Sequence, residues 1–81
     1  MTKLDKKLEK MRNNPKDWQM HDLEVLASHY GIHVRKGNGS HVVFSHSKWV
    51  DILTIPARRP IKPIYIKKLV ELIAILNEAN L

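Results

Sequence analysis

The run Gly37-Asn38-Gly39-Ser40-His41-Val42-Val43-Phe44 has little choice of conformation. Gly37 and Gly39 admit backbone angles that side chains resist, and Asn38 tolerates left-handed geometry. Val42, Val43 and Phe44 are residue types that suit a pleated, half-buried surface. The run therefore predicts a tight turn feeding directly into a β-strand. His41 falls at the mouth of that strand, beside exposed backbone N–H groups and the Ser40 hydroxyl. No other side chain in the chain is better placed for chemistry.

The flanks extend this strand into a meander. Ile32-His33-Val34-Arg35 alternates apolar with polar residues, as a half-buried strand does. Ser45-His46-Ser47-Lys48 reads as a turn, and Trp49-Val50-Asp51-Ile52-Leu53-Thr54-Ile55 as a third antiparallel strand. Along the middle strand, 41–46, Val42, Phe44 and His46 share one face, and His41, Val43 and Ser45 share the other. With Val42 and Phe44 as the core pair, His41 is expected on the open face, where a substrate reaches it.

Helical periodicity marks the rest. Leu4, Leu8 and Met11 fall at i, i+4 and i+7 on a short charged helix that Asn13-Asn14-Pro15 stops. Its Lys3, Lys6, Lys7, Lys10 and Arg12 read as a solvated face. A second helix spans roughly residues 20 to 30, after Trp18 and Met20. It buries Leu23, Leu26, Ala27 and Tyr30, and Gly31 ends it; Asp17 and His21 both suit its start. His21 and His29 read as surface histidines, with no acid–base partner nearby in sequence. Pro56-Ala57-Arg58-Arg59-Pro60-Ile61-Lys62-Pro63 is a stiff basic connection. Pro63 suits the first turn of a last helix, which buries Ile66, Leu69, Val70, Ile73 and Leu76 and carries Tyr65, Lys67 and Lys68 near its start. The expected order is α-α-β-β-β-α: an α+β fold in which helices pack on one face of a three-stranded antiparallel sheet. One domain fills residues 1–81, as a core of 15–78 with an N-terminal helical extension at 1–14.

Composition narrows the partners. Fourteen Lys and Arg against eight Asp and Glu give a formal charge of +6 and a pI near 9.9. On so small a surface that excess favours a polyanion, because each neutralised phosphate releases counterions. Without cysteine there is neither a disulfide framework nor a thiolate metal site. The five histidines show no tight ligand spacing with a supporting carboxylate, so no metal or other cofactor is expected. The most apolar stretch, 69–76, contains Glu71 and is too short to span a bilayer. No apolar run follows the charges of the first residues, so no signal peptide is expected either. Together these features predict a soluble intracellular protein with no membrane partner.

Strand, Gly39-Ser40-His41, strand, then Leu53-Thr54-Ile55-Pro56, then Arg59-Pro60-Ile61-Lys62-Pro63 before a C-terminal helix: this order resembles the HicA family. The resemblance covers about residues 12 to 78, and takes in Asn13-Asn14-Pro15, Trp18, Asp22-Leu23 and Tyr30-Gly31. HicA proteins are the toxins of bacterial toxin–antitoxin pairs, with a fold similar to the double-stranded RNA-binding domain. The resemblance implies an mRNA-cleaving endoribonuclease of the bacterial cytoplasm, neutralised by a HicB-type antitoxin. Contact with DNA is implied only indirectly, through the antitoxin complex. The family's essential histidine falls on His41. Many members carry another in a Pro-x-His pattern after the third strand, where this chain has Pro56-Ala57-Arg58. Arg58 keeps a permanent positive charge there, suited to phosphate but not to moving protons.

RNA is cleaved without metal when its own 2′-OH attacks the adjacent phosphorus. That step needs a base for the proton, positive charge on the non-bridging oxygens and an acid for the leaving oxygen. A histidine, with a reference pKa near 6.5, serves as base or acid around neutrality. His41 is the expected proton-transfer residue. Arg35, Lys36, Arg58, Arg59 and Lys62 are the nearest basic residues for phosphate, with the Gly39 and Ser40 N–H groups as further anion donors. Ser40 fits an orienting role better than a nucleophilic one, since no Ser-His-Asp set can be assembled. The main competing reading is a non-catalytic module that recognises RNA shape through phosphates and 2′-OH groups. Another is a docking module for an acidic protein, in which the basic sheet face is the contact surface. A shape reader has no need of a histidine in the glycine turn.

Overall fold

Three amphipathic helices and one three-stranded sheet form because each has a single apolar side to hide. The computed structural model describes residues 3–37, 39–58 and 60–79. The elements run α1 (Lys3–Asn13), α2 (Met20–His29), β1 (His33–Lys36), β2 (His41–Ser45), β3 (Leu53–Pro56) and α3 (Pro63–Ala79). The sheet has the order β1-β2-β3, antiparallel throughout. This is the α-α-β-β-β-α layout expected from the sequence, with the helices on one face.

Register explains which side of the sheet is buried. Phe44 lies opposite Val34 and Leu53, and Val42 lies opposite Lys36 and Ile55. Val42, Phe44, Leu53 and Ile55 are buried against Leu23, Leu26 and Ala27 of α2 and Ile66, Leu69, Val70 and Ile73 of α3. Each large side chain removed from water in this way contributes about 1.5–3 kcal/mol. Leu8 and Met11 of α1 join the same core. On the other face Arg35 and Thr54 are exposed, and Val43 and Ser45 half-buried.

Several boundaries differ from the sequence reading, most by a single residue, and three of them have a clear physical reason. The third strand begins at Leu53 rather than Trp49. Extending it backwards would carry Asp51, two residues before Leu53, onto the core face. The chain instead turns at 46–49, where Trp49 N–H donates to the His46 carbonyl at 3.0 Å. The Trp49 indole is buried, with its Nε1–H donating to the Leu72 carbonyl at 3.1 Å, while Val50 is 99% exposed. The first strand begins one residue late because the Ile32 N–H is taken up by the Ala27 carbonyl at 2.8 Å. That bond and Gly31 N–H to Ser28 (3.4 Å) form a Schellman end to α2, with Gly31 at φ +72°.

At the other end of α2 neither Asp17 nor His21 is the cap. The preceding residue is Gln19, whose N–H donates to Asp22 Oδ2 at 3.1 Å, while Asp17 takes a left-handed φ of 65°. Lys7 of α1 pairs with the same carboxylate at 2.8 Å. Burial pulls Asp22 up, but Lys7, the Gln19 N–H and the nearby His21 outweigh it and hold the carboxyl below its ordinary 3.8. The helix start is thus marked by the Gln19–Asp22 capping pair, and Lys7 of α1 adds an ion pair to the same carboxylate.

A Cβ at Gly31 would meet nothing within 4 Å, so the cost of Gly31→Ala is conformational alone. Urea unfolding should show a loss of about 1–2 kcal/mol, the cost of a left-handed angle for a residue with a side chain. Asp22→Asn should destabilise the protein at neutral pH. A lowered carboxyl stabilises the fold above its unfolded pKa and stops doing so as pH falls through the folded one. The difference between Asp22→Asn and the parent should therefore close when unfolding is followed below about pH 4.

Candidate active site

The glycine turn is held from both sides by backbone hydrogen bonds. Gly37 N–H donates to the His41 carbonyl at 3.2 Å, and Ala57 N–H donates to the Ser40 carbonyl at 2.5 Å. Gly39, at φ +84°, occupies an angle that only glycine adopts freely. His41 stands opposite Pro56 as the first residue of β2. The Ser40–Ala57 bond continues this pairing one step past the end of β3. It ties the turn to the basic connection that follows.

Burial positions the third wall. Ile61 is 2% exposed and Ile66 fully buried, and between them lie Lys62, Pro63, Ile64 and Tyr65. Ile61 N–H donates to the Trp18 carbonyl at 3.1 Å, and the Trp18 indole donates to the Asn14 carbonyl at 2.6 Å. Pro63 opens α3, and Tyr65 N–H returns to the Lys62 carbonyl at 3.0 Å. Lys62 and Tyr65 are three apart and face the same way at the head of the helix.

Ser40, His41, Pro56, Arg58, Lys62 and Tyr65 line one cavity of about 160 Å³. At its liquid volume of about 30 Å³ each, some five waters fill such a space, which suits one phosphodiester group. One guanidinium, one ammonium, one imidazole, one phenol and one hydroxyl face it. Among the described residues no carboxylate lines it, so an anion entering meets only attraction. His41 is exposed, as its strand parity predicts, and the head of α3 adds a wall that parity alone does not reveal.

The expected site residues divide accordingly. His41, Ser40, Arg58 and Lys62 come together, and Gly39 shapes the turn beside them. Arg35 is exposed opposite Val43 and does not line the cavity. Lys36 lies opposite Val42, on the helix-bearing face, and pairs with Glu24 of α2 at 3.3 Å. Arg59 lies outside the described residues. Tyr65 is the member that the sequence reading passed over. Its signal was available, since it stands three residues after Lys62 and next to the inward-facing Ile66.

The remaining histidines have other surroundings. His46 Nδ1 accepts the Lys48 N–H at 3.0 Å, and its ring lies 6.0 Å from the Trp49 ring. His29 stands against Tyr30, with Nε2 3.8 Å from Asp5 Oδ1. His21 lines a second cavity of about 150 Å³ with Gln19, Met20, Ala57, Arg58 and Ile61, so the two cavities share Arg58. Among the described residues no three His, Asp or Glu side chains group as metal ligands. None of the described helices is long and apolar enough to cross a membrane.

An oxyanion should be the first ligand of the cavity. Titration with inorganic phosphate should shift the amide resonances of Ser40 and His41, and the double change Arg58→Ala, Lys62→Ala should remove the shifts. The response should weaken as salt is raised, because exposed charges are screened.

No family model, no curated protein and no solved structure matches the chain, so the cavity is read from its own residues.

Proposed function

We propose that this chain is a HicA-type toxin, an endoribonuclease that cuts mRNA without a metal ion. One observation carries the reading: Ser40, His41, Arg58 and Lys62, from separate stretches of sequence, line a single phosphate-sized cavity free of carboxylates among the described residues. The formal charge of +6 adds to it, since a polyanion is drawn to such a surface. In this reading Arg58 and Lys62 hold the scissile phosphate and stabilise the charge that develops on its non-bridging oxygens. Arg59 and the N–H groups of Gly39 and Ser40 lie close enough in sequence to assist. His41 takes the proton from the 2′-OH as that oxygen attacks phosphorus. Arg35, on the open sheet face, extends the contact along the strand. Lys36 is held by Glu24 and takes no direct part.

The resemblance to the HicA family is what suggests a partner and a place. A HicB-type antitoxin would neutralise the protein by covering the cavity and its basic rim, and any DNA contact of the complex would belong to the antitoxin. The setting is the bacterial cytoplasm.

The test is cleavage of RNA by the purified free protein in EDTA, beside His41→Ala. The parent should cut, and the variant should be slower by about 10²–10⁴-fold, the usual contribution of a proton-transfer group. RNA affinity and thermal unfolding should be nearly unchanged. Equal cutting by both proteins would remove His41 from the mechanism. RNA held but left uncut by both would point instead to a module that recognises RNA without cleaving it.

A further inference from the structure

The proposed reaction needs an acid for the leaving oxygen as well as a base, and His41 is the cavity's only histidine among the described residues. We infer that the Tyr65 phenol is that acid, an inference that rests on the ribonuclease reading. The other lining residues are poorly suited. Arg58 does not give up its proton in a protein, and Pro56 has none to give. A serine hydroxyl such as that of Ser40 is a far weaker acid than a phenol. Lys62 could release a proton only by cancelling one of the two charges that hold the phosphate.

The two tyrosines of the chain make the contrast plain. The Tyr30 hydroxyl donates to Asp5 Oδ1 at 2.8 Å, and burial together with that bond pushes its pKa up to about 12. Its proton is engaged in the fold. Tyr65 is half-buried at the cavity wall, and its hydroxyl has no hydrogen-bond partner among the described residues. Tyr65 stands in the first turn of α3, between the buried Ile61 and Ile66 in sequence, and packs against the core. A neutral phenol has one O–H to donate, and this one lines the same cavity as His41 and Lys62.

The step balances without a co-reactant. The 2′-oxygen forms a bond to phosphorus as its proton passes to His41. The bond from phosphorus to the 5′-oxygen breaks as that oxygen receives the Tyr65 proton. The products are a 2′,3′-cyclic phosphate and a 5′-hydroxyl. Water then returns a proton to the phenolate and removes one from the imidazolium.

The experiment compares two substrates, an ordinary oligoribonucleotide and one with sulfur replacing the 5′-oxygen at the scissile linkage. A thiolate departs without being protonated, so the second substrate needs no acid. Tyr65→Phe should cut the ordinary RNA at least about 100-fold more slowly than the parent. It should cut the sulfur-substituted RNA within a few-fold of the parent rate, whereas His41→Ala should be slow on both. Lys62→Arg, which keeps the charge but cannot give up a proton, should show no such sulfur-specific recovery. Parent-like cutting of ordinary RNA by Tyr65→Phe would overturn the inference. So would equal slowing on both substrates, which would mark Tyr65 as a binding or structural residue. A parent protein inert on both would instead bring down the ribonuclease reading itself, and this inference with it.

Discussion

The structure depends on the burial of one helix stripe against one sheet face. Ile66, Leu69 and Ile73 of α3 are fully buried with Phe44 and Ile55, and Leu8 and Met11 of α1 close the same core. The sheet has only three short strands and cannot stand in water with Val42, Phe44, Leu53 and Ile55 uncovered. What makes this packing matter beyond stability is where it ends. Ile61 and Ile66 are held inside on either side of the segment that carries Lys62 and Tyr65. The head of α3 is therefore brought to the mouth of β2 by apolar contact, with little need for polar bonds at the site itself. Side chains that must remain free for a ligand are positioned by neighbours that are not.

Polar groups follow a similar division. Lys7 is committed to Asp22, Lys36 to Glu24 and the Tyr30 hydroxyl to Asp5. His46 is occupied by the turn after β2. Arg58 and Lys62, by contrast, line a cavity where no described carboxylate competes for them. The Ser40–Ala57 backbone bond keeps the turn and the basic connection in register at the one place where both border that cavity.

Much of the fold was legible in sequence because the signals were local and periodic. The stripe of α3, the proline at its start, the glycine that ends α2 and the alternation of β2 each follow from residue type and spacing. The failures were of another kind. Trp49 to Ile52 have the composition of a strand, yet strand parity would put the Asp51 carboxylate on the core face, and the Trp49 indole finds its partner on α3. The start of α2 is marked by Gln19 pairing with Asp22, a capping pair in which glutamine is a less usual first member than the Asp17 nearby. At the site, the turn and His41 were evident from adjacent residues, and Arg58 and Lys62 from charge and position. Lys36 was placed wrongly relative to the cavity because its pairing with Glu24 is a contact between distant elements. Tyr65 was overlooked because a tyrosine at a helix start looks ordinary until the opposite wall of the cavity is known.

Among the described residues the sheet has two unpaired borders, and their chemistry limits how copies of the chain can meet. The outer border of β1 is four residues long and carries Arg35 and Lys36. That of β3 is equally short and finishes in Pro56, which has no N–H to offer a neighbouring strand. Brevity, like charge and a closing proline are the devices by which natural sheets refuse edge-to-edge growth. Two copies of the β1 border brought together would oppose lysine and arginine to themselves. A concentrated solution of the protein thus has no easy route to fibrils through its own sheet.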